Sequence, residues 1–219
     1  MIQIDDAGSG SLVGGTYIGL LRIETGEHYF GIIPLKFYNE CNFKKKLYLQ
    51  YACKIIDDGI KKIKLGDREK VQICQGYMFD EVRKYLSINN IDFDSVKIGE
   101  PLQTIIEKAF ENYTISLGLP DNFIKYTKYP FHFHRLLRWV YADYYNRKKL
   151  CKTGWKSWQK YGHLNVEKYS DILYNKNYYC LKCGRKILQA SPVNVIKYFS
   201  NMPNTIYIHK RCPQVFLNP

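Results

Sequence analysis

Apolar residues alternate in short bursts over the first third of the chain and then recur at helical spacing. Ile2 and Ile4 alternate ahead of an acidic pair, Asp5-Asp6, and Tyr17, Ile18, Leu20, Leu21 and Ile23 follow a glycine-rich stretch from Gly8 to Gly15. Both runs read as strands, the second over Thr16 to Ile23, and the glycines between them permit the positive φ angles that reverse a chain. Tyr29 to Phe37 predicts a third strand, with Pro34 marking an edge or a bulge. Together they predict an antiparallel meander.

From Phe43 to Ile63 the apolar period changes. Phe43, Leu47, Ala52, Ile55, Ile56, Ile60 and Ile63 line one helical face with lysines opposite and Gly66 beyond the end. A short buried strand at Lys70 to Cys74, a helix from Phe79 to Leu86, a fifth strand at Asp94 to Ile98 and a third helix from Leu102 to Leu117 follow. A last helix is expected from His134 to Leu150, after the loop at Pro130. This order predicts an α/β fold in which right-handed crossovers add a parallel edge to the meander, giving a mixed five-stranded sheet flanked by helices.

At 219 residues and 46% hydrophobic, the chain can bury a substantial core. No run approaches the roughly 18 apolar residues of a membrane span, and the N-terminus lacks a basic-then-apolar secretion pattern. The expectation is a soluble cytoplasmic protein with no membrane partner. The 33 Lys plus Arg against 20 acids leave a formal charge of +13, which draws polyanions and makes nucleic acid, DNA or RNA, the leading partner. A genome biased toward Lys, Asn, Ile and Tyr would produce the same composition. Between Lys125 and Trp158 aromatic and cationic residues interleave, and Arg135, Arg138, Arg147, Lys148, Lys149, Trp155 and Trp158 are the candidates for stacking bases and pairing phosphates. An ordinary helix with its aromatics inside and its cations outside is the other reading.

The acids at the tip of the first strand are a place to hold a metal. Ile4-Asp5-Asp6-Ala7-Gly8-Ser9 resembles the Asp-x-Gly-Ser that closes the first strand of RuvC-type Holliday-junction resolvases, and Gly14-Gly15 resembles the hairpin glycines of ribonuclease H. The resemblance, to the ribonuclease H-like superfamily, covers roughly residues 1 to 150 and implies a nuclease that uses Mg²⁺ or Mn²⁺ held by carboxylates from separate elements. Asp6 aligns with the family's aspartate, while Asp5 points to the opposite face because strand side chains alternate. Asp143, the one acid of the expected last helix, and Asp80, at the start of the second helix, are the further candidates. Asp143 lies among apolar residues, so it asks for a partner, either a metal or Arg147 one turn on. His132 and His134 stand just before that helix as further ligand candidates.

The chain departs from the family at the end of the fourth strand, where Cys74 stands in place of a glutamate. Two functions are therefore expected: a divalent-metal-dependent endonuclease acting on a DNA junction or an RNA-containing duplex, or a non-catalytic nucleic-acid-binding protein that keeps the fold and has lost part of the acidic site. A scaffold for an acidic protein is a third. RuvC-type enzymes act as dimers, so the resemblance to them raises a homodimer as one expectation, although no segment of the sequence marks a dimer surface.

Seven cysteines, an odd number without a secretion signal, argue against a disulfide framework. Cys180-Leu181-Lys182-Cys183, then 25 residues, then His209-Lys210-Arg211-Cys212 make two ligand pairs of knuckle spacing, with Gly184 after the first. Such a set suits tetrahedral zinc with no open position, a structural site. The expected organisation is a domain over 1–150 and a basic linker with a small zinc-binding module, poor in core of its own, over 151–219. Cys41, Cys53, Cys74 and Cys151 are expected to be buried as small apolar side chains.

Overall fold

The structure, a computed structural model, describes residues 1–66 and 69–212. They form two compact units. The first comprises Met1–Ser9 and Gly14–Asn112, and the second comprises Gly10–Val13 and the chain from Tyr113 onward. The units part at Asn112, whereas the sequence pattern grouped residues 1–150; residues 213–219 of the expected C-terminal module lie outside the described residues.

In the first unit, strands β1 (Ile2–Ala7), β2 (Thr16–Arg22), β3 (His28–Ile33), β4 (Val71–Cys74) and β5 (Phe93–Val96) make one sheet in the order β3-β2-β1-β4-β5. The β1–β2 and β2–β3 pairs are antiparallel, and β1–β4 and β4–β5 are parallel. Helices α1 (Glu40–Lys44) and α2 (Leu47–Ile63) connect β3 to β4, α3 (Asp80–Ile88) connects β4 to β5, and α4 (Leu102–Ser116) follows β5. The mixed five-stranded α/β sheet expected from the sequence is therefore present.

Register sorts the residues of this sheet onto two faces. Asp6 pairs with Ile18 and Ile18 with Gly31, and a Cβ on Gly31 would lie 2.5 Å from Ile55 of α2. Asp5 pairs with Gly19 and Gly19 with Phe30, and a Cβ on Gly19 would lie 2.8 Å from Ile106 of α4. Hence α2 covers the Asp6 face and α4 the Asp5 face, and the glycines are where the helices come closest. On the α2 side Ile4, Ile18, Leu20, Ala52, Ile56 and Ile73 form a continuous buried core.

Two details differ from the periodic pattern. Strand β3 ends at Ile33, because Pro34 cannot donate to a ladder, and Leu35–Tyr38 becomes a 3₁₀ turn. The expected helix from Phe43 to Ile63 is broken at Lys46, which takes a left-handed conformation (φ 54°) between α1 and α2.

The second unit holds α5 (Asp121–Tyr126), α6 (Phe133–Ala142), α7 (Tyr144–Arg147), α8 (Lys156–Tyr161) and strands β6 (Glu167–Leu173), β7 (Tyr178–Tyr179), β8 (Lys186–Ile187), β9 (Ser191–Phe199) and β10 (Pro203–His209). Strands β10-β9-β6 form an antiparallel sheet, and β7 and β8 a small hairpin. The alternation in β9 buries Val193, Val195 and Tyr198 while Asn194 and Lys197 stay exposed, and these meet Leu136, Trp139 and Val140 of α6. The expectation of a C-terminal module poor in core is thus corrected: it shares a large core with α6, Trp139 included. The expected single helix from His134 to Leu150 is also corrected, because Asp143 leaves helical geometry (φ −152°) and separates α6 from α7.

Candidate metal centre and carboxylate cluster

The sharpest site lies in the second unit. Cys180 and Cys183 sit in the tight turn between β7 and β8, while His209 ends β10 and Cys212 follows it. Their ligand atoms all lie within 4.8 Å of one another, the one such grouping of three or more His, Cys, Asp or Glu side chains among the described residues. The first knuckle is closed by Gly184 N–H donating to Cys180 O at 2.8 Å and Cys180 N–H donating to Arg185 O at 2.9 Å. Gly184 adopts φ +73°, and a Cβ there would meet Pro120 at 2.8 Å, so both conformation and space require glycine.

The donor set fits a metal such as zinc. His209 turns Nδ1 toward Cys183 Sγ at 3.4 Å, and its Nε2 lies 3.1 Å from Lys186 O. A proton held on Nε2 by that carbonyl leaves Nδ1 free to ligate, the usual arrangement of a metal-binding histidine. Burial pushes the Cys212 thiol up, and the neighbouring Cys180 and Cys183 push it further. Crowded thiols of this kind lose their protons to a bound cation. Three sulfurs and one imidazole would fill all four positions of a tetrahedral ion.

Arg147 supports the knuckle from inside. Its guanidinium donates to Leu181 O at 2.9 Å, Lys182 O at 2.8 Å and Trp139 O at 2.6 Å, and lies 4.0 Å from the centroid of the Trp139 ring. Burial lowers its pKa to about 10, against the pull of Asp143 and the cluster thiols, so it stays charged at neutral pH. Arg147 is thus a buried strut, not a surface cation, which corrects its assignment to a nucleic-acid surface. The same correction applies to Trp158, buried over Gly162. Asp143 pairs with Lys182 at 3.5 Å and accepts from Asn146 at 3.1 Å; its expected partner Arg147 spends its donors on carbonyls. Of the remaining basic and aromatic candidates, Arg135, Lys148 and Lys149 are exposed, Arg138 donates to Thr205 O at 3.0 Å, and half-buried Trp155 has the Lys152 ammonium 5.3 Å from its ring. His132 and His134 also belong to this unit, with His134 Nδ1 3.3 Å from Ser200 Oγ.

In the first unit the acids gather at the carboxyl ends of β1 and β4, where the sheet switches from antiparallel to parallel pairing. Ile4 pairs with Ile73, so Asp5 and Cys74 extend neighbouring strand ends on one face. The Cys74 thiol donates to the Asp5 carboxylate, and Asp5 also accepts from the Asp6 N–H at 2.9 Å. Burial raises the Asp5 pKa, and the charge of Glu107 on α4 raises it further. Burial and the neighbouring acids Asp5 and Asp6 push the Cys74 thiol up to about 11. On the opposite face Asp6 acts on the buried Tyr38: burial raises its pKa, with Tyr77 and Asp6 adding to it. Asp80 is exposed in the first turn of α3 and paired with Arg83 at 2.5 Å.

Sequence reasoning singled out Asp6 and set Asp5 aside. Register places Asp5 on the face shared by Cys74 and α4, and it adds Glu107, a residue the sequence reading did not name. The signal that could have found it was the order of elements: α4 is the last helix of the sheet unit, and Asp143 lies beyond it. Cys151 is buried as expected and Cys53 and Cys74 are half-buried, but Cys41 is exposed on α1. No helix among the described residues is long and apolar enough to cross a membrane. Comparison of the sequence with protein-family models and with curated proteins gives no match.

Proposed function

We propose that the chain is a divalent-metal-dependent endonuclease of the ribonuclease H-like superfamily, acting on structured nucleic acid such as a DNA junction or an RNA-containing duplex. What supports this reading above all is the strand order β3-β2-β1-β4-β5 with acids at the carboxyl end of its central strand. Ligands of α/β sheets bind beyond such strand ends, at the switch in topology. The formal charge of +13 favours a polyanionic substrate.

Burial raises the Asp5 pKa, and the charge of Glu107 adds to it. A hard cation relieves that repulsion, and Mg²⁺ is held by one or two carboxylates with waters and substrate phosphates filling the rest. Asp5 and Glu107, on the α4 side of the sheet, are the two carboxylates that would hold such an ion, while Asp6 lies on the opposite face. The bound ion would supply Lewis-acid stabilisation of charge on the phosphoryl group. The chain's own residues do the rest. Gly8 beside the tip makes room for the Phe110 ring, and the Cys74 thiol, protonated at neutral pH, orients the Asp5 carboxylate.

Titrating Mn²⁺ into the zinc-loaded protein, with thermal stability and cleavage of junction and hybrid substrates as readouts, tests this. Stabilisation and cleavage are expected in the wild type and lost in Asp5→Asn and Glu107→Gln. Neither effect in the wild type would overturn the nuclease reading and favour the second one, a nucleic-acid-binding protein with an incomplete acidic site. Cys74, in the place of the family's glutamate, is the observation on that side.

A further inference from the structure

A groove of about 560 Å³ opens in the second unit beside the metal cluster, within the size range of ligand clefts. Its walls come from the α6–α7 break, from β6, β9 and β10, and from the first knuckle. Three lysines line it, Lys168, Lys182 and Lys210, against one acid, Asp143, which Lys182 already neutralises. Four tyrosines line it as well, Tyr141, Tyr144, Tyr145 and Tyr169. Tyr144 is held rigid, its hydroxyl 2.8 Å from Gly162 O and 2.9 Å from His163 Nδ1, and its ring stacked on Tyr141 at 5.5 Å. Tyr145 stands nearly perpendicular to it and is 78% exposed, and Lys148 approaches both rings within 6 Å. Tyr169 carries the Lys197 ammonium 5.0 Å from its ring.

Fixed aromatic faces interleaved with lysines, in a cleft whose one carboxylate is spent, match the chemistry of unpaired bases joined by phosphates. A duplex hides its base faces in its own stack and cannot use such rings. We propose that this groove binds a single-stranded segment of nucleic acid, with Tyr145 and Tyr144 stacking bases and Lys168 and Lys210 pairing phosphates. The proposal deepens the nucleic-acid reading above but rests on a separate site, so the two can fail separately.

The test is fluorescence anisotropy of the full zinc-loaded chain with a short labelled oligothymidylate across a salt series, without added Mg²⁺ or Mn²⁺. Tyr145→Ala is expected to weaken binding about tenfold at every salt, with Tyr145→Phe retaining affinity. The double variant Lys168→Ala/Lys210→Ala is expected to flatten the slope of log affinity against log salt by about 0.7 per lysine. Lys45→Ala/Lys62→Ala, with the same charge removed from exposed positions of the first unit, is the control. Groove variants indistinguishable from that control, or a wild type that binds duplexes and no single strand, would overturn the proposal and leave the carboxylate site untouched. Groove-dependent binding without cleavage of any substrate would uphold it and count against the nuclease.

Discussion

Among the buried polar side chains, Gln3 and Thr16 belong to the first unit, whereas Ser11, Thr114, Arg147, Lys152, Ser200 and Asn204 belong to the second. The first unit closes its sheet with aliphatic faces on both sides and leaves its acids at the strand tips. The second places charged groups inside and satisfies them with carbonyls, rings and a metal-ligand cluster. Apolar packing tolerates loss in small steps, because each methylene contributes on its own. A buried polar network fails in large steps, because removing one member strands the others. The two units should therefore respond to damage on different scales.

Removal of the metal gives the largest expected effect. Chelation, or Cys180→Ser, is expected to cost the second unit ~10 kcal/mol or more and to unfold it. Proteolysis should then clear the chain after Asn112 while the five-stranded sheet persists; simultaneous loss of both units would show that their stabilities are not separate. Next is Arg147→Met, which leaves the carbonyls of Trp139, Leu181 and Lys182 without their donor and should cost about 3 kcal/mol in chemical denaturation, with weaker retention of the metal. In the first unit, Gly31→Ala puts a methyl 2.5 Å from Ile55 and should cost about 1–3 kcal/mol by overpacking. An unchanged melting temperature in that variant would mean that α2 moves away from the sheet without penalty.

Two carboxyls of the first unit carry the smallest effects and opposite signs. The Asp5 pKa is raised, so its contribution to stability is full below the unfolded value near 3.8 and is lost as pH rises through the folded value. Asp5→Asn should thus stabilise the metal-free protein at neutral pH, an effect that disappears as pH falls below 3.8. Glu69 is held down to about 2, chiefly by Arg22, whose Nε donates to Oε1 at 2.7 Å and whose second amino group donates to Oε2 at 3.0 Å. Its contribution is full above the usual glutamate value near 4.5 and fades as pH falls toward 2. At the rim of the sheet, Glu69→Gln should cost about 0.5–1 kcal/mol at neutral pH and progressively less as pH falls through 2. Carboxyl titrations followed by NMR would check both directions.

How much was legible from sequence follows the same division. Strands β1, β2 and β4 and helices α2, α3 and α4 carry periods of two or 3.6 that any solvent-facing sheet or helix must show, and Cys180, Cys183, His209 and Cys212 announce a ligand set by spacing alone. Strands β6, β9 and β10 were missed, although β9 alternates from Val193 to Tyr198, because lysines and asparagines on the outer face resemble a solvated linker. The break at Asp143 was missed because residues 134–150 keep an apolar face across it, and a side-chain pattern does not record one residue's φ. Arg147 and Trp158 read as surface residues because a type of side chain carries no depth.

The sequence by itself determined the mixed α/β sheet, the ligand quartet and the excess of positive charge, since these depend on local period, spacing and count. Only the tertiary structure decided which acid of Asp5-Asp6 faces Cys74 and Glu107, that Arg147 holds the knuckle from within, and that four tyrosines and three lysines meet in one groove. Each of those depends on register or on contacts between residues far apart in the chain, which no local pattern encodes.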